Sequence, residues 1–70
     1  MIRADRAEIA WDSNKKNWIV SIHAGAEVIK RQPDTHVPHD APDDVLRAAA
    51  LQTVKDDGYE VTPERVDIVR

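Results

Sequence analysis

The chain has 70 residues, no cysteine and a formal charge of −3, with 41% hydrophobic and 33% charged residues. That length allows one small domain over residues 1–70 and no second one. The balance of apolar and charged residues excludes wholesale disorder, and the lack of cysteine excludes a disulfide-stapled scaffold and suits a reducing cytoplasm. No apolar run approaches the roughly 20 residues of a membrane span, and residues 1–6 lack the apolar stretch of a signal peptide, so neither membrane association nor export is expected. A domain of this size without disulfides must draw its stability from packing, a partner or a metal. Its charge is two-sided: residues 1–32 hold six Lys and Arg against four acids, and residues 33–70 hold four against nine.

Ala7, Ile9 and Trp11 alternate with polar residues on one side of a polar turn, and Trp18, Val20 and Ile22 alternate on the other. Period two on both sides predicts a β-hairpin. Pairing Trp11 with Trp18, Ile9 with Val20 and Ala7 with Ile22 puts the whole apolar set on one face, with Ser13-Asn14-Lys15-Lys16 as the turn. A one-residue slip would split the tryptophans between faces. Ala24-Gly25 signals a second turn, with Glu27 to Gln32 returning as a third strand. Its register is open: a two-residue loop turns Ile29 inward, and a three-residue loop turns Val28 inward.

Residues 33–42 carry three prolines and read as a loop. The helix is expected over about residues 41–57, with Asp40 as N-cap, Pro42 in the first turn, acids at its positive end and Gly58 as a left-handed stop. Val45, Leu46, Ala49, Ala50, Thr53 and Val54 form the stripe expected to lie on the sheet, and Leu51 falls off it, as a flank contact or part of an interface. Tyr59 and Val61 lead to a Thr62-Pro63 turn, and Val66 and Ile68 mark a final strand. The fold class expected is α+β: an antiparallel hairpin or meander of two or three strands, one helix packed on it, and a C-terminal strand.

Chemistry-bearing residues are sparse. His36 and His39 share a seven-residue segment with Asp34 and Asp40, and imidazole with carboxylate suits Zn or Ni. The spacing matches no standard metal motif, so a solvated loop is expected, with no metal and no cofactor. Trp11 and Trp18 could stack nucleic-acid bases if exposed, but a chain without Phe needs them in its core. Ser13 and Ser21 lie in no nucleophile context and the two glycines form no phosphate cradle, so no enzyme activity is expected.

The hairpin segment AEIAWDSNKKNWIVSI and the helix entry DAPDDVLRAAA resemble the strand pair and the acidic, alanine-rich helix start of HicB-type antitoxin domains. These segments span just over a third of the chain. A Pro/His-rich loop stands where that family commonly has a Gly-Cys segment. The resemblance implies a partial RNase H-like fold and a small partner-binding or regulatory module, and no functional residue is carried over.

The function expected is thus a noncatalytic protein-interaction or regulatory module. An exposed edge of the last strand, with Val66, Ile68 and Val69, or the Leu51 side of the helix, would bind a protein or a second copy of the chain. The alternative is a small nucleic-acid-binding domain using a basic hairpin tip of Lys15, Lys16, Lys30 and Arg31, against which the acidic net charge argues.

Overall fold

The alternation around the first turn builds the centre of the molecule. In the computed structural model, which describes residues 2–33 and 36–70, the chain runs β1 (Ile2–Arg3), β2 (Arg6–Asp12), β3 (Asn17–Ala24), β4 (Glu27–Arg31), α1 (Asp43–Asp56), β5 (Tyr59–Glu60), a 3-10 turn (Pro63–Arg65) and β6 (Val66–Val69). A four-stranded sheet of order β4-β3-β2-β6 carries the helix, and β1 pairs with β5 in a short parallel ladder. The fold is α+β, as the sequence predicts. Asp34 and Thr35, part of the His/Asp segment, lie outside the described residues, as does Met1.

The β2–β3 register pairs Trp11 with Trp18, Ile9 with Val20 and Ala7 with Ile22, as expected. The Asp12 carboxylate closes the turn by accepting the backbone N–H groups of Asn14 and Lys15 at 2.9 and 3.2 Å. Lys16 adopts φ 52°, a left-handed conformation that costs a non-glycine residue about 1–2 kcal/mol.

The open register of the third strand resolves in favour of the two-residue loop. Gly25 takes φ 62°, as the first central position of a type II′ hairpin turn requires, and the Asp5 carboxylate accepts its N–H at 2.8 Å. Ile22 therefore pairs with Ile29 on the inner face and His23 with Val28 on the outer, which leaves Val28 52% exposed.

After the helix, β6 lies parallel to β2, with Ala7 beside Val66 and Ile9 beside Ile68. Leu46, Ala50, Thr53 and Val54 are the buried residues of α1. They pack against Ala7, Ile9, Trp18, Val20, Ile22 and Val66. Thr53 is tolerated there because its hydroxyl donates to the Ala49 carbonyl at 2.8 Å, which satisfies its polar group without a second partner. Gly58 takes φ 85°, and its N–H donates to the Lys55 carbonyl, ending the helix where expected.

Two expectations about the helix need correction. It begins at Asp43 with Pro42 as N-cap, and no side chain caps it. Asp40 is displaced from that role because the chain turns again behind it: the Ala41 N–H donates to the Pro38 carbonyl, and Ala41 is buried at 5% exposure. The stripe is also narrower than expected, since Val45 points to solvent. Leu51 is a flank residue, half-buried against the core. The loop before the helix is not simply solvated: Val37 and Ala41 both insert into the core.

Candidate interaction surface

Four strands make two faces, and the described chain covers one of them. The helix and the Val37–Ala41 segment pack on the face of Ala7, Ile9, Trp18, Val20 and Ile22. By strand alternation the other face carries Glu8, Ala10, Ile19, Ser21 and Lys30, and no element among the described residues packs over it. These residues border a shallow concavity of about 720 Å³, together with Lys15 of the first turn.

The strand pairings set this face out in rows. One row runs Lys30, Ser21, Glu8, Asp67 from β4 to β6, and the next runs Ile19, Ala10, Val69. The face is mixed in character. Val28 and Val69, at 52% and 45% exposure, stand at its two edges. Arg6 reaches Asp67 at 3.5 Å, whereas Lys30 and Glu8 form no ion pair among the described residues.

The sheet order makes β4 and β6 the edge strands. Unpaired edge groups recruit other strands unless charge or proline guards them. Glu27, Lys30 and Arg31 guard β4. On β6 the exposed side chains are Asp67, held by Arg6, and Val69. The strand expected to dock a partner is therefore an edge strand, but its residues are not equivalent. Val66 is 3% exposed and belongs to the core, so a partner could reach only its main chain. Ile68 and Leu51 are half-buried against the same core. Val69, between the edge and the open face, is the apolar side chain of β6 presented to solvent, and its exposure follows from β6 lying beside β2, which the sequence pattern does not disclose.

Three of the four basic residues of the expected tip come together. Lys15, Lys30 and Arg31 border the concavity, in company with Glu8 and Asp12, while Lys16 does not. Arg31 is directed toward the helix side, where its guanidinium meets the Asp57 carboxylate at 3.1 Å. Opposite charges thus interleave with the lysines, which weakens the field a phosphate backbone would need.

The histidines have other work. The His39 ring stacks on Trp11 with centroids 4.4 Å apart and 28° between planes. Trp11 in turn meets Trp18 edge-on at 5.4 Å, and the Trp18 indole N–H donates to the Pro38 carbonyl at 3.1 Å. Trp18 is fully buried and Trp11 half-buried, so the indoles are core and core margin. His36 is exposed. Among the described residues no three His, Asp or Glu side chains gather as a metal site. Arg70 braces the same loop, donating to the carbonyls of His39 and Ala41 and to the Asp43 carboxylate.

No helix among the described residues is long and apolar enough to cross a membrane. No family model, curated protein or solved structure matches the chain.

Proposed function

We propose that the chain is a noncatalytic interaction module that docks a protein, in a binding or regulatory role, on the uncovered side of its sheet: the open face and the β6 edge that borders it. One observation carries this reading. A four-stranded sheet with a single helix leaves one face and one weakly guarded edge open on the same side, and both meet at the exposed Val69. Uncovered sheet faces and edges are used by other chains through main-chain pairing and side-chain complementarity.

The test is affinity capture from the native host at physiological salt, comparing wild type with Val69→Glu. Val45→Glu is the control, since Val45 is equally exposed, at 45%, on the helix. The partner is expected with wild type and Val45→Glu and lost with Val69→Glu, while all three proteins melt alike. Recovery of the same protein by Val69→Glu, or of nucleic acid in its place, would overturn the reading, as would no protein captured by a wild type that also stays monomeric at millimolar concentration.

A further inference from the structure

We propose that the partner for which the open face is built is a second copy of this chain, the two sheets stacking face to face about a two-fold axis parallel to their strands. This rests on the interaction-module reading and goes beyond it by naming the occupant.

The charge arrangement selects both the partner and the axis. Along one row of the open face, Lys30 stands on β4 at one side, and Glu8 and Asp67 stand on β2 and β6 at the other. A two-fold axis along the strands exchanges left and right while preserving each row. It therefore sets β4 of one copy over β6 of the other, and β3 over β2. Lys30 of each copy then faces Asp67 of the second, with Glu8 of the second within reach of its long side chain, and the pairing occurs twice by symmetry. In the next row Ile19 lies over Ala10 of the second copy.

An axis across the strands does the opposite. It exchanges the two rows, sets Glu8 against Ala10 and Asp67 against Val69, and buries the Glu8 carboxylate without a partner, which is costly. The first arrangement pairs the charges of the Lys30–Asp67 row, at the cost of setting Arg6 of one copy over His23 of the other, and it also keeps the strands of the two sheets aligned, as stacked sheets prefer.

The available area sets the strength. Four strands about 4.8 Å apart and about five residues long give roughly 300 Å² in projection, which with side-chain relief buries on the order of 1,000 Å² in the pair. That is at the low end of specific interfaces. The axis also brings both first turns, each with Lys15 and Lys16, to the same end of the pair, a further cost. The dimer belongs to the weak class, with Kd in the high-micromolar range on the order of 10⁻⁴ M.

The test uses two charge reversals measured by sedimentation velocity up to millimolar protein. Lys30→Glu places an acid against Glu8 and Asp67 of its own second copy, and Glu8→Lys places a base against Lys30. Each variant alone is expected to dimerise at least tenfold more weakly than wild type, a change worth about 1.4 kcal/mol. An equimolar mixture of the two is expected to recover association, because each reversed residue then meets its opposite. Both substituted side chains lie outside the core, and matched melting curves with wild type confirm that folding is intact.

A mixture no stronger than the separate variants overturns the proposal. A wild type that stays monomeric at millimolar concentration also overturns it, while leaving a foreign partner, and so the interaction-module reading, standing. A dimer indifferent to both reversals but broken by Val69→Glu overturns the face-to-face pair in favour of pairing along the β6 edge.

Discussion

Replacing Trp18 by alanine should remove about half or more of the protein's stability, whereas replacing Trp11 should remove far less, although the two indoles face each other across the same hairpin. Trp18 is fully buried and is the largest side chain in that state. Truncating such a residue costs about 3–5 kcal/mol through lost transfer energy and the cavity left behind. Here the Pro38 carbonyl also loses its indole donor, about 1 kcal/mol for an ordinary hydrogen bond, so a cost of about 4–5 kcal/mol is expected. A 70-residue domain holds roughly 3.5–10 kcal/mol in total at the usual ~0.05–0.15 kcal/mol per residue. Trp11 is half-buried, with one edge on Trp18 and one face on the exposed His39, and its truncation should cost only about 1–2 kcal/mol. Urea titrations followed by far-ultraviolet circular dichroism separate the cases: Trp11→Ala should retain a cooperative transition at slightly reduced midpoint, and Trp18→Ala should show a far lower midpoint or no transition. Trp18→Phe, which keeps most of the bulk and drops the N–H donor, should fall between. Equal midpoints for the two alanine variants would refute the assignment of Trp18 to the core and Trp11 to its margin.

Two further substitutions probe how the loop before the helix is held. Arg70→Ala removes the donor to the His39 and Ala41 carbonyls and to Asp43; because the groups are largely exposed, a loss of about 0.5–1.5 kcal/mol in urea titrations is expected, and Arg70→Lys should recover only part of it, lacking the planar fork. A loss-free Arg70→Ala would mean that the loop holds its place without the brace. His36→Ala with His39→Ala should lower stability by less than about 1 kcal/mol, the worth of a margin stacking contact, and chelator should leave the wild-type melting temperature unchanged; a drop of several degrees on chelation would establish a metal site instead.

The parts of the fold legible in the sequence are those where a single residue decides between faces. Trp11 and Trp18 admit one register that keeps both indoles on the apolar side, and the structure has that register. Gly25 decides the next turn, but which of Val28 and Ile29 turns inward depends on loop length, which residue types do not reveal. The short β1–β5 ladder left no trace in the pattern, because a two-residue strand has no period and Ile2, 61% exposed, contributes nothing to the core. The helix starts two residues later than the sequence suggests, because Asp40 has the chemistry of an N-cap whereas burial of Ala41 and its bond to Pro38 decide the geometry. The surface was the least legible part. Val66 and Ile68 have the pattern of an edge strand, but that pattern does not say that they face inward there and leave Val69 as the exposed side chain.

Core and surface in this chain depend on one another through the same alternation. A strand that sends Ile29 under the helix must send Lys30 to the open face, because successive side chains point to opposite sides. The two-residue loop at Gly25 therefore sets two things at once: it closes the core at Ile29, and it places a cation at the β4 end of a row whose β6 end is acidic. One residue more in that loop would bring Val28 inward and turn Lys30 toward the helix. Lys30 would then stand beside Ile22 where Ile29 now packs, so the core would lose its apolar contact there, while Arg31 would come beside Ser21 and keep a cation on the open face. Loop length is thus decisive for the core and leaves a cation on the open face either way, and the left-handed Gly25, held by the Asp5 carboxylate, is where the chain makes that choice.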